Sequence, residues 1–422
     1  MGFATEWLAE RAIFPAVINE TPDYKTGIVV VVPAFNEPDI TALFDSLSEC
    51  SEPECKVEII VVINARADSG EELIQNNKIC IENIKRWKIK HQELFFRLFI
   101  FDTGQPMIKG WGVGLARKTG MDEALRRFDA INNPDGVIVC LDADCTVSKN
   151  YFTAIKTEML DRRDHTACSI YFEHRLNDMF FPQEVTRNII LYELHLRYYL
   201  QGLRYSGFPY AFHTVGSALA VKAFQYIKAG GMNRKQAGED FYFIQKLVPL
   251  GGYFYLNSAT VYPSPRESFR VPFGTGATMT RMMREGNGLL LSYNINSFTE
   301  LHWLFSSSGS LFSCRDKDLL DFFLSMPAGL KKFIPEQEWS EKINEIYANT
   351  SGPESFVKRF YGWFNMFRIV KYMNFVHQGI YDKQNVTTSA NDLLSVNDHN
   401  FRSDDPEALL LFYRSMEKNE KP

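Results

Sequence analysis

An α/β fold with a mostly parallel central sheet, plus a mainly helical C-terminal extension, is the architecture this sequence predicts. Two observations carry it. Apolar, β-branched runs alternate with amphipathic stretches through the first part of the chain, and from Leu289 onward the apolar spacing turns helical. Gly27 to Val32 is the first strand, stopped by Pro33. Asp39 to Glu49 follows as a helix, with Ile40, Leu43, Phe44 and Leu47 along one face. Val57 to Ile63 is a second strand, Glu71 to Lys90 a helix, and Phe95 to Phe101 a third strand. Gly114 to Phe128 is again helical, and the continuous apolar run Val137 to Leu141 reads as a strand buried on both faces.

Beyond Asp144 the pattern is mixed. Thr166 to Phe172 is a strand, Pro182 to Arg204 a long helix, and His213 to Val221 a strand with Gly216 where close approach is needed. A helix over Glu239 to Leu250 ends at Gly251-Gly252. At 422 residues the chain is too long for one comfortable core. The division expected is an N-terminal helical segment over 1–24, an α/β domain over 25–290, and a mainly α-helical region over 291–422.

Composition narrows the function. Apolar content of 45% and charged content of 23% are ordinary for a globular protein. A net charge of −5 without a basic tail argues against nucleic acid. The seven cysteines are odd in number and show no Cys-x-x-Cys spacing, which fits a reduced, cytoplasmic setting. No signal peptide is readable, and no apolar run reaches the roughly 18 residues of a membrane span. Contact with the inner face of a membrane stays open only through the aromatic, cationic stretch 356–373, which reads first as a helix packed on the catalytic domain.

Four constellations carry chemistry. Asp142-Ala143-Asp144 closes the Val137 strand, at the edge where open α/β sheets bind ligands. Such hard oxygen donors suit Mg²⁺ or Mn²⁺ bridged to substrate phosphates. Pro33-Ala-Phe-Asn-Glu37 puts a carboxylate after the first strand, for a ribose, a base or a helix dipole. Gly112-Val-Gly114-Leu-Ala-Arg117-Lys118-Thr-Gly120 opens a helix with glycines that admit a ligand and cations that suit phosphate. Gly238-Glu239-Asp240 offers two adjacent carboxylates, as a helix cap or as a general base.

Taken in order, these motifs resemble the family 2 glycosyltransferases of the GT-A fold. The resemblance spans about residues 25 to 290 and includes His213-Thr-Val-Gly-Ser-Ala-Leu-Ala and Gly230-Gly231. It implies a nucleotide-diphospho-sugar donor held by Pro33, Glu37, Asn64, Gly112, Arg117 and Asp142. It further implies a divalent metal on Asp144, with Asp142 beside it, and Asp240 as catalytic base next to Glu239. Arg266, Arg270, Arg281, Arg284 and His213 are the candidates for diphosphate or acceptor contacts. The acceptor would be a hydroxyl of a saccharide, a lipid-linked saccharide or a small molecule.

Two departures stand out. After the second strand this chain has Asn64-Ala-Arg66-Ala-Asp68 where the family usually has Asp-Asp-Gly-Ser, which puts the base in doubt. Where processive members carry Gln-x-x-Arg-Trp, it has Arg281-Met-Met-Arg284-Glu285, which argues against a membrane-embedded polymerase. Inverting transfer with Asp240 as base is the expectation. The alternatives are a retaining enzyme acting on a small anionic acceptor, or a catalytically silent nucleotide-binding protein.

Overall fold

Apolar runs bury both faces of a strand, and the four strands that the sequence displays form one parallel block, unbroken in β-branched β1 and β4 and broken by Glu58 in β2 and Arg97 in β3. The computed structural model describes residues 2–37, 39–104, 108, 111–176, 181–235, 238–267, 274–286, 288–314 and 316–420. In chain order the main sheet contains β1 (Thr26–Ala34), β2 (Lys56–Ile63), β3 (Phe96–Asp102), β4 (Val137–Cys140), β5 (Thr146–Val147), β6 (Ala167–Phe172), β7 (Leu219–Lys222) and β8 (Tyr253–Tyr262). Their spatial order is β3-β2-β1-β4-β7-β6-β8-β5. The first four are mutually parallel, with Val30 of β1 facing Ile59 of β2 and Val139 of β4. β7 pairs antiparallel with β4 and β6, β6 runs parallel to β8, and β5 closes the edge antiparallel to β8. Val29 to Val32, Ile59 to Val62 and Val137 to Cys140 are fully buried, so this block is the core.

The chain divides into two compact units. The first contains Met1–Phe181, Phe212–Thr280 and Met416–Pro422, and the second Pro182–Ala211 and Arg281–Ser415. Three helices matter in the first unit: α1 (Thr5–Arg11), α2 (Val113–Ala130) and α3 (Glu239–Leu247). α2 packs on β1 and β2; a Cβ at its Gly120 would come 2.3 Å from Val31 and 2.8 Å from Val62.

The second unit is almost entirely helical, from Gln183–Tyr205 through Ile295–Ser306 to Val386–Val396. Its buried Glu193 accepts hydrogen bonds from Arg197 and Arg414, and its buried Glu300 from the amides of Gly329 and Leu330 and the hydroxyls of Tyr372 and Tyr381. The stretch 356–373 forms parts of two helices whose Phe356, Phe360, Ile369, Tyr372 and Met373 are buried. No helix among the described residues is long and apolar enough to cross a membrane. All seven cysteines are free thiols.

The mixed α/β architecture expected from the sequence is the one observed, and several boundaries differ for physical reasons. β1 does not stop at Pro33 but continues to Ala34. Pro33 lies past the last β1–β4 pair, Val31 with Cys140, so its missing N–H breaks no ladder on that side. The strand expected over His213 to Val221 is limited to Leu219–Lys222, the part that pairs with β4 and β6. The helix expected to reach Leu250 ends at Leu247, and Val248–Leu250 forms a tighter single turn.

Candidate active site at the switch point of the sheet

From β1 the chain steps to β2 and β3 on one side, and then returns to place β4 on the other. The connections therefore diverge between the carboxyl ends of β1 and β4, where open α/β sheets form a binding crevice. Glu37 follows β1 there, and Asp142 and Asp144 follow β4 in a tight turn closed by the Cys145 amide on the Asp142 carbonyl, 3.1 Å.

Arg117, on the second turn of α2, organises the deeper half of the site. Its guanidinium is buried and donates to Asp142 Oδ1 at 2.7 Å and to Glu239 Oε1. Gly216 makes room for it, since a Cβ there would fall 2.7 Å from Nη1. Burial opposes the Arg117 charge, but Asp142 and Glu239 outweigh it and hold the group above its usual range. Its Nε finds no acceptor among the described residues.

Asp240 follows Glu239 at the start of α3, and its Oδ1 accepts the Phe241 amide at 2.7 Å. Burial raises Asp240 above the ordinary carboxylate range, against the pull of Arg117 and the Phe241 amide. Burial also pushes Glu239 up, to about 7, partly offset by Arg117 and reinforced by Asp240. Glu239 and Asp240 thus lie near one buried cation that Asp142 also engages, and burial makes these two hold protons more readily than ordinary carboxylates.

The outer half is organised by Arg266, in the segment after β8. Its Nε donates to Asp144 Oδ2 at 2.8 Å and its Nη2 to Glu37. Burial opposes its charge, and Asp144 and Glu37 more than restore it. Arg266 is therefore a cation seated on the carboxylates named for metal and nucleoside.

Other residues singled out from sequence fall as follows. Asn64 is buried after β2; its Nδ2 donates to the Ala34 carbonyl at 2.9 Å and its own carbonyl accepts from Asn77 at 2.8 Å. Its amide donor thus ties the ends of β1 and β2 together. Gly112 precedes α2 in extended backbone, φ −177°. His213 is buried, with Nε2 3.1 Å from Glu417 and its ring edge-on to Phe172. Arg281 and Arg284 belong to the second unit, and Arg270 lies outside the described residues.

The structure thus gathers Arg117, Asp142, Glu239 and Asp240 into one cluster, and Glu37, Asp144 and Arg266 into another. Two ties had no local signal. Arg117 and Glu239 are separated by 122 positions and Arg266 and Glu37 by 229, so no spacing rule reaches them.

Asp142 and Asp144 fit a divalent cation by their chemistry: hard oxygen donors, each with exposed side-chain surface, 38% and 26%. Among the described residues no group of three or more His, Cys, Asp or Glu has the geometry to hold a metal ion. The pair suits an ion whose remaining positions go to substrate phosphate and water.

Residues 137–330 match the family described as glycosyl transferase family group 2. That match covers 194 of the 422 residues, from the start of β4 into the second unit. None of the curated proteins compared with it matches the chain. Among solved structures it is similar to S. aureus TarS residues 1–349, at 15% identity over 80% of this chain and 92% of that one, TM-score 0.37. It is similar to the mannosyltransferase PcManGT of Pyrobaculum calidifontis, at 15% identity over 98% and 92%, TM-score 0.36. Glucosyl-3-phosphoglycerate synthase of Mycobacterium tuberculosis is a third, at 16% identity over 63% and 84%, TM-score 0.36. Likenesses this distant say nothing of substrate.

Proposed function

We propose that this protein is a glycosyltransferase that moves a sugar from a nucleotide-diphosphate donor to an acceptor hydroxyl with inversion at the anomeric carbon, Asp240 acting as base. The observation that carries the reading is the division of labour at the start of α3. Glu239 is engaged by Arg117, which leaves Asp240 as the carboxylate available to take a proton. A carboxylate raised by burial is a stronger base once ionised.

In this reading the donor's nucleoside lies by Glu37 and Asn64, and Arg266 leaves Glu37 and Asp144 as the donor arrives. The freed guanidinium then meets the diphosphate. The acceptor O–H gives its proton to Asp240 while its oxygen bonds to the anomeric carbon. The bond from that carbon to the diphosphate oxygen breaks, and its electron pair leaves with the diphosphate. Asp144, with Asp142, would hold Mg²⁺ or Mn²⁺, which when bound supplies charge neutralisation on the leaving group. Arg117 keeps Asp142 and Glu239 in place.

A panel of nucleotide-sugars, read by thermal shift with and without Mn²⁺, tests the donor assignment, since a ligand of the native state raises its melting temperature. Stabilisation by one donor, lost in Glu37→Gln, is expected; indifference to every donor contradicts it. Proton NMR of the product tests the base: inversion is expected, and retention overturns it.

A further inference from the structure

Beside α1 lies a cavity of about 220 Å³, lined by Arg11, Lys118, Gly230, Met232, Asn233 and Arg234. Its lining holds three cationic side chains and no carboxylate. Arg11 and Arg234 are both exposed, and neither pairs with any described residue. Lys118 is buried and gives hydrogen bonds to both oxygens of Asp122, at 2.8 and 3.1 Å. An ammonium carries three N–H groups, so Asp122 does not use them all. Asp122 neutralises Lys118, and the net positive charge rests on the two arginines.

The wall is built rather than incidental. The Ala4 amide and the Thr5 hydroxyl hold α1 to Asp129 of α2, at 2.6 and 2.8 Å. Trp7 packs edge-on to Tyr226 with ring centroids 5.5 Å apart, and Lys118 lies 5.3 Å from the Trp7 ring. Gly231 has φ +72°, and a Cβ on it would fall 2.8 Å from Trp7, so glycine is required for α1 to seat there. That seating brings Arg11 to the same concavity as Arg234.

Two unpaired guanidinium groups facing one concavity repel each other unless an anion lies between them. We propose that this cavity is an oxyanion site of phosphate class, sized for a single anionic group. Its wall is joined to the proposed reaction site. Asn233 Nδ2 donates to the Glu239 carbonyl at 2.9 Å, and Lys118 is the neighbour of Arg117. The oxyanion is either the charged group of an acceptor or a free small anion, and the binding claim stands apart from the transfer mechanism.

Isothermal titration of the full chain with inorganic phosphate, at ionic strength fixed with NaCl, tests it directly. Saturable binding is expected, weakened about tenfold or more in the double variant Arg11→Ala/Arg234→Ala and unchanged in the surface control Arg163→Ala. Both arginines are exposed, so the double variant keeps its fold, which circular dichroism checks. Equal affinity in the double variant, or no saturable binding to the unaltered chain, overturns the proposal. Glycerol 3-phosphate separates the two sources. Its glycosylation in the presence of a bound donor, lost in the double variant, marks an acceptor subsite. Displacement of phosphate without consumption marks a free-anion site.

Discussion

Arg117 and Arg127 stand on the same helix, both buried, and their surroundings differ in kind. Arg127 meets one carboxylate, Glu58, through two parallel hydrogen bonds of 2.7 and 2.6 Å. It also donates to the Glu20 carbonyl and lies 5.0 Å from the Phe99 ring. Arg97 Nη1 lies 3.5 Å from the same carboxylate, so Glu58 is fully buried between two cations with nothing left to react. Arg117 meets Asp142 and Glu239 and feels Asp240 besides, and its Nε has no acceptor among the described residues. A structural pair closes on itself. The Arg117 cluster keeps negative charge in excess and carboxylates that hold protons, which are properties a reaction can use.

Breaking the two clusters should therefore give opposite results. The largest effect expected is on turnover: Asp240→Asn keeps size, removes the basic oxygen pair, and should lower turnover by about 10²–10⁴-fold with donor affinity little changed. Steady-state kinetics alongside donor titration check this, and near-normal turnover contradicts it. Next is Arg127→Met, which leaves Glu58 in the core with only the longer, 3.5 Å contact from Arg97. It should cost about 3–5 kcal/mol in a denaturant titration while turnover per folded molecule is kept. Asp144→Ala reverses that pattern. It should change stability by about 1 kcal/mol or less, since the Asp144–Arg266 pair is partly exposed, yet abolish turnover at limiting Mn²⁺.

The smallest effect is a pH slope. The folded state holds a proton on Glu239 up to about 7, above the ordinary value of 4.5. Across that window the unfolded chain binds fewer protons than the native one, so stability falls as pH rises. Asp240 adds to the fall in the same direction. Thermal melts from pH 5 to 7 should show the decline, and Glu239→Gln should flatten it. A slope unchanged in that variant would place the proton elsewhere.

The sequence carried the strands of the parallel block because β1 and β4 are continuous apolar runs and β2 and β3 are interrupted only by Glu58 and Arg97, and hence the ends where Glu37, Asp142 and Asp144 emerge. β8 escaped it. Tyr253–Tyr262 has the polar pair Asn257-Ser258 inside the strand, where the register with β6 slips between Ile170 and Tyr171. The bulge places those residues off the ladder, and the Asn257 amide reaches the carbonyls of Glu417 and Glu420 instead. The carboxylates of the candidate site were legible as motifs, since each follows a strand or opens a helix. Their cations were not. Arg117 read as a phosphate contact, and only three-dimensional packing brings it onto Glu239; Arg266 read as a diphosphate or acceptor contact, and only the fold sets it on Asp144.

The most direct test compares turnover per folded molecule in Arg117→Met and Arg127→Met, with each variant's folded fraction measured by denaturant titration. Arg117→Met should lose about 10²-fold or more, because Asp142 and Glu239 lose the group that positions them, whereas Arg127→Met should keep the turnover of the unaltered enzyme. Equal losses in both, or full turnover in Arg117→Met, would contradict the assignment of the reaction to the Arg117 cluster.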